Sequence, residues 1–492
     1  MRRWVAAAGA VGAVLIAQAF SRDLALAAPV QADWRTFAGD AARSGWVDGA
    51  TRITHSNVGS LRKRFVVRLG AVADSSPIYA SHVKRSRHAA IAMLFVVDGA
   101  GTSYGIDAGS GAVLWRFPTH GPKITASSPV LDPDGRHLYV PGVDGRVHKL
   151  DAASGIEVKA SGFPLLITRM PDVEKDASAL NLANGFLYAV TSGYLGDAGP
   201  YVGHVVTVRL RDGQTHVLNT LCSNINRLLL DRSYDPNSAA SCSSVRSGIW
   251  SRSGVVVDPD PKLRGRVYVA TGNGPFDGKR NWGDSVLALN PDGSRIEDSF
   301  TPSDYAELEN TDLDLGSTAP ALLPPQAHSR APLMAVQGGK SHVLYLLDRT
   351  HLGGVGGALS QFSLPYEMFS APAVWRDAHG TTWIYLGFLP ESHSVMGLTV
   401  QNDAGAKSRL HEAWSKEVGA TSPVVANGIV FVAGDGALSA LDAQTGALLW
   451  SSTRPSAGGT IGGIHWQSPI VAGDSVYVCD EEQHLIAYTL QR

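Results

Sequence analysis

Cysteine is nearly missing from this chain: three occur in 492 residues, none adjacent to another and none in a C-x-x-C-H string, so no covalently held haem is encoded. Charge of either sign is also scarce, with 17% charged residues and a formal net charge of −2. That balance leaves no electrostatic footprint for a phosphate backbone or an anionic membrane, so nucleic acid is not expected as a partner. Long apolar runs are missing beyond the first thirty residues. The one that exists, Val5 to Phe20, follows Arg2-Arg3 and precedes Ala25-Leu26-Ala27. A short Ala-rich run between a basic start and an A-x-A site reads as a secretory signal peptide over 1–28, leaving one domain over 29–492 with no membrane insertion after cleavage.

Glycine and proline, by contrast, are plentiful, with 53 and 26 residues, and apolar residues make up 44%. This is the composition of a turn-rich globular chain. Cys222 and Cys242 fall in one long loop of an exported protein, where a disulfide is expected. Cys479, in the alternating run Ser475 to Cys479, reads as a small core residue.

Eight strand starts recur, at Ser76-Pro77, Ser128-Pro129, Ser178-Ala179, Ser253-Gly254, Thr318-Ala319-Pro320, Ser370-Ala371-Pro372, Ser422-Pro423 and Ser468-Pro469. The steps between them are 52, 50, 75, 65, 52, 52 and 46 residues. A β-type repeat near 50 residues is the length of a four-stranded propeller blade, so the expected fold is all-β, an eight-bladed β-propeller of four-stranded antiparallel blades. Within a blade, the third strand ends in Asp-Ala-x-x-Gly and the fourth carries a Trp, as in Asp107-Ala108 to Gly111 before Trp115, and Asp442-Ala443 to Gly446 before Trp450. Asp and Gly make the turn, and the Trp offers a flat surface for docking between blades. After Ser468 only two further strands remain. The N-terminal run Leu61 to Leu69, which has no blade of its own, can supply the missing one and close the ring from both termini.

The Asp-Ala-x-Thr-Gly-x-x-x-Trp unit repeated round an eight-bladed ring resembles the pyrroloquinoline quinone (PQQ) repeat of quinoprotein alcohol dehydrogenases and of their non-enzymatic relatives in outer-membrane assembly. The two long steps, from Ser178 to Thr318, carry the insertions where function is expected. There, Gly248-Ile249-Trp250, Thr271-Gly272-Asn273 and Asp284 to Leu289 follow the order of the dehydrogenases. The resemblance implies that Trp250 stacks under a quinone and that Asn273 binds it and ligates Ca²⁺ or a lanthanide. Thr301-Pro302-Ser303-Asp304 is similar to a family motif that leads to the catalytic Asp, which the register assigns to Asp312, with Asp314 as a second carboxylate on the same cation. Two Asp at i and i+2 on an extended segment are expected to point the same way. Lys340, after Gly338-Gly339, matches the cationic contact to the quinone. Arg349 is expected to hold the following turn, and His465 or Trp466 could line the axial pocket.

Two family marks are missing. There is no adjacent Cys pair, and the expected metal-ligand Glu falls near Tyr194 to Gly203, where Asp197 is the only acid. Two readings of different class therefore stand. One is a secreted, periplasmic PQQ-dependent dehydrogenase of an alcohol or polyol, with a small-molecule alcohol substrate and a separate electron acceptor. The other is a non-catalytic propeller scaffold binding a protein or glycan in the cell envelope. A hydrolytic triad is a poor third, on the expectation that no nucleophile elbow occurs.

Overall fold

The first strand of each repeat is the innermost, and each repeat folds outward from it as one small antiparallel sheet in a computed structural model. The model describes Met1 and residues 33–491 except 50, 86–88, 230–241 and 403–407. The expected signal peptide lies almost wholly outside the described residues.

Blade one is built from Ile78–Val83, Ile91–Val97, Thr102–Asp107 and Val113–Pro118 in sequential order. Blade two runs from Val130–Leu131 to Leu165–Leu166, and blade three from Asn181–Ala183 to Thr215–Asn219 with Glu174–Asp176 added alongside Phe186–Gly193. Blade four spans Val256–Val257 to Ile296–Thr301, blade five Ala321–Leu322 to Ser360–Ser363, blade six Ala373–Arg376 to Ser408–Lys416, and blade seven Val424–Ala426 to Leu448–Ser451. Blade eight takes Ile470–Ala472, Ser475–Cys479 and His484–Leu490 from the C-terminus and Leu61–Arg68 from the N-terminus, in register from Leu61 opposite Leu490 to Arg68 opposite His484. The ring is thus an eight-bladed propeller closed by both chain ends.

The recurrent Ser or Thr has a bonding role at several of the starts. Ser128 Oγ accepts the Ser76 N–H at 2.9 Å, Ser422 Oγ accepts the Ala371 N–H at 2.9 Å, and the Ser468 hydroxyl donates to Ser422 O at 2.8 Å. Each ties the inner strand of one blade to its neighbour, where no sheet ladder can do so. Farther out, tryptophans perform the docking. Trp115 Nε1 donates to Ala152 O at 3.1 Å, Trp414 Nε1 to Ala443 O at 3.0 Å, and Trp450 Nε1 to Leu61 O at 3.2 Å, each reaching into the next blade round the ring. Gly397 marks the slot for Trp414, since a Cβ there would stand 2.4 Å from the indole.

Two expectations are corrected. Arg349 does not hold the turn after it: buried in blade five, it donates to both oxygens of Asp258 in blade four, at 2.8 and 2.9 Å. A string with the spelling of a nucleophile elbow does occur, Gly101-Thr102-Ser103-Tyr104-Gly105, but it runs into the strand Thr102–Asp107 with Ser103 fully buried, and no helix follows. The segment before Leu61 packs against several blades. Phe37 and Ala38 pack against Ala179 of blade three and Ala371 of blade six. The buried Arg43 donates to Ser253 O at 3.1 Å and Leu180 O at 2.8 Å, and Trp46–Val47 pairs with the inner strand of blade seven. Cys222 and Cys242 are disulfide-bonded, and Cys479 is buried and free. Among the described residues no helix is long and apolar enough to cross a membrane.

Candidate active site

A cavity of about 410 Å³ opens on the propeller axis. Its walls come from the residues just ahead of the strand starts: Asp74, Ala126, Ala177, Arg252, Phe369 and Trp466 each precede a start by one or two positions. At six of the eight starts the chain thus presents a side chain to the centre before it enters the innermost strand.

On the side of blades four and five the cavity gathers Trp250, Asn273, Asp312, Asp314 and Lys340. Asn273 sits where the strand Val267–Ala270 leaves the sheet, and its N–H donates to Asp314 Oδ1 at 2.6 Å. Gly272 is required for that approach, because a Cβ would stand 2.4 Å from the same oxygen. The Asn273 side-chain amide donates to Asp312 Oδ1 at 3.1 Å and to Asp197 Oδ2 at 3.4 Å. Lys340 Nζ lies 2.5 Å from Asp314 Oδ2 and 3.2 Å from Asp312 Oδ2. The same ammonium stands 5.4 Å from the centre of the Trp250 ring.

The two aspartates are not on an extended segment. Tyr305 to Thr311 forms a helical turn, and Asp312 ends it in the left-handed conformation, φ 57°. Asp314 then opens a 3₁₀ turn at Leu315–Ser317. This bend leaves Asp312 with 68% of its side chain exposed and Asp314 with 6%, although both face Lys340. Burial raises the Asp314 carboxyl above its ordinary range, against the opposing pull of Lys340. Burial would lower the Lys340 ammonium, but Asp314 and then Asp312 more than reverse it, so it stays protonated. Behind them, burial pushes Asp284 up to about 8 while its Oδ1 accepts the Leu315 N–H at 3.0 Å.

Asp197 reaches this group from the loop after Phe186–Gly193. That loop is anchored by Glu174, whose Oε1 accepts the Val202 N–H at 3.0 Å, and by the Tyr201 hydroxyl, which donates to Asp197 Oδ1 at 2.5 Å. His465 and Trp466 line the same cavity from blade eight. Phe369 bridges the sides, 6.0 Å from Trp250 and 5.8 Å from Trp466 between ring centres. Arg252, Asp74 and Phe369 were not foreseen as cavity residues. The available signal was their place immediately ahead of a start.

Fold and cavity together define an eight-bladed propeller with an acid-rich axial site. The chain belongs to the PQQ_2 family, whose model carries the description outer membrane protein assembly factor BamB and matches residues 81–303 and 374–491. No significant relative is found among curated proteins. Similar solved structures include a quinohemoprotein alcohol dehydrogenase from Pseudomonas putida HK5, at 14% identity, TM-score 0.65, covering 94% of this chain and 80% of that one. A europium-containing methanol dehydrogenase matches at 15% identity, TM-score 0.63, over 91% and 89%. BamB from Moraxella catarrhalis matches at 13% identity, TM-score 0.51, over 87% and 99%. At these identities the likeness is one of fold, shared by enzymes and assembly factors alike.

Proposed function

We propose that this chain is a periplasmic PQQ-dependent dehydrogenase that oxidises an alcohol or polyol, exported by its 1–28 leader. The observation that carries the reading is the convergence of Asp197, Asn273, Asp312 and Asp314 beside the Trp250 ring in one axial cavity. The donor set fits a hard cation: it is all oxygen once the Asn273 amide presents its carbonyl, and Asp314 is otherwise a buried acid with only Lys340 to neutralise it. Asn273, Asp312 and Asp314 would hold Ca²⁺ or a lanthanide, and Trp250 and Lys340 would contact the quinone. Bound PQQ with its cation would supply the electrophilic carbonyl that accepts hydride from the alcohol carbon.

The remaining work falls to the chain itself. Asp312, the more exposed of the two carboxylates, takes the proton of the substrate hydroxyl. Asp314, buried and fixed by the Asn273 N–H, keeps its place as a ligand. Lys340 offsets the negative charge that both carry. With no C-x-x-C-H string in the sequence, electrons leave to a separate acceptor.

The second reading is a non-catalytic scaffold that binds a protein or glycan. The description of the matching family and the lack of an adjacent Cys pair favour it. Titration of the purified protein with PQQ together with Ca²⁺ or La³⁺ separates the two. The enzyme reading expects saturable cofactor absorbance and a stability gain of about 2.7 kcal/mol at 100 times Kd. No absorbance change and no melting shift with either metal would leave the scaffold.

A further inference from the structure

Blade eight stands four blades round the ring from blade four, and it carries a second cluster that the reading above does not use. We propose that Asp74, His465 and Glu481 form a separate metal site, with three protein ligands, for a borderline divalent transition cation such as Zn²⁺. The three residues come from three stretches of chain: the link into blade one, the approach to blade eight, and the hairpin between its second and third strands. They nevertheless offer one ligand atom each within 4.8 Å of one another. His465 Nδ1 and Asp74 Oδ1 are 3.3 Å apart. That is the edge of a tetrahedron whose centre lies about 2.0–2.1 Å from each donor, the distance zinc requires.

Behind the cluster, Gln467 is fully buried and touches all three members. Its Oε1 accepts the His465 N–H at 2.7 Å, and its Nε2 donates to Asp74 Oδ1 at 3.2 Å and also to Glu481 Oε1. Arg252 pins the main chain of Asp74 by donating to its carbonyl at 2.6 Å. Such outer contacts hold ligands in place before a cation arrives. Asp74 and His465 line the axial cavity, so the fourth coordination position faces space that a small oxygen- or nitrogen-donor ligand can enter.

Two other His and acid clusters lack these features. In Asp132, Asp134 and His137, and in Asp480, Glu482 and His484, the members share one turn and the leading Asp already accepts backbone N–H groups. Neither lines the cavity. The imidazole also sets the Asp74 site apart from the all-oxygen group around Asn273: a hard cation prefers the latter, zinc the former.

The test is calorimetric titration of the full-length exported protein with ZnCl₂ in saturating CaCl₂, with no quinone added, so its outcome is separate from that of the dehydrogenase reading. One equivalent of Zn²⁺ is expected to bind. His465→Ala and Asp74→Asn should weaken it by more than about 100-fold, since even outer-contact changes cost about 10–100-fold. Asp312→Asn should retain it. Both cavity residues are partly exposed, and near-UV circular dichroism with the milder His465→Gln distinguishes a lost ligand from a lost fold. Absence of stoichiometric binding, binding that survives His465→Ala and Asp74→Asn in folded protein, or binding lost in Asp312→Asn alone would overturn the proposal.

Discussion

Lys340 holds its ammonium nitrogen 2.5 Å from Asp314 Oδ2, in a contact where the carboxylate is 6% exposed and the lysine 13%. An internal cation therefore already neutralises the most buried acid of the cavity. Removing the lysine while leaving the acid strands a charge in a poorly solvated place, which costs about 3–5 kcal/mol in comparable pairs. Lys340→Met should lower the urea midpoint accordingly, and millimolar La³⁺ should restore part of the loss by replacing the ammonium. Unchanged stability would mean that the pair does not form in solution.

Asp312 is the counterpart case. With 68% of its side chain exposed, its replacement by Asn should leave the melting temperature within a few degrees of the parent protein. PQQ-dependent dye reduction should disappear, because the amide cannot take the hydroxyl proton. Retained turnover would remove Asp312 from the role proposed for it.

A different acid contributes to the pH response of stability. Burial pushes Asp176 up to about 8, and neither of its carboxyl oxygens has a hydrogen-bond partner among the described residues. The folded protein therefore keeps this proton between about pH 4 and pH 8, where the unfolded chain releases it. Its contribution is fully present below about pH 4 and is lost as pH rises to about 8. Asp176→Asn should therefore stabilise progressively over that interval and level off above it, with a gain of a few kcal/mol at the plateau. Urea titrations at pH 5 and pH 8.5 that give the same difference between variant and parent would contradict this.

Blade docking can be probed through the tryptophan of blade six and its seat in the same blade. Trp414→Ala removes a buried indole and its hydrogen bond to Ala443 O, a loss of about 3–5 kcal/mol. Gly397→Ala leaves the indole in place but drives a methyl to 2.4 Å from it. Both variants should unfold at lower denaturant, and the double variant should lose less than the sum, because the methyl then meets a space. Strict additivity would show that the two positions do not touch.

The sequence by itself determined the ring. Period, turn residues and docking tryptophans are local, and a chain one strand short at one end with a spare strand at the other closes in one way. The Ser and Thr starts were legible as markers, but their inter-blade hydrogen bonds were not, since these join residues about 50 positions apart. Trp250, Asn273, Asp312, Asp314 and Lys340 were legible as candidates because they keep the order of a known motif series. That Asp312 bends back in a left-handed turn, that Asp197 comes to the Asn273 amide, and that Arg252 and Asp74 share the same cavity were decided only by the tertiary structure. Most blades lend the axis residues, and a set drawn from positions 74 to 466 becomes a site only when the ring has closed.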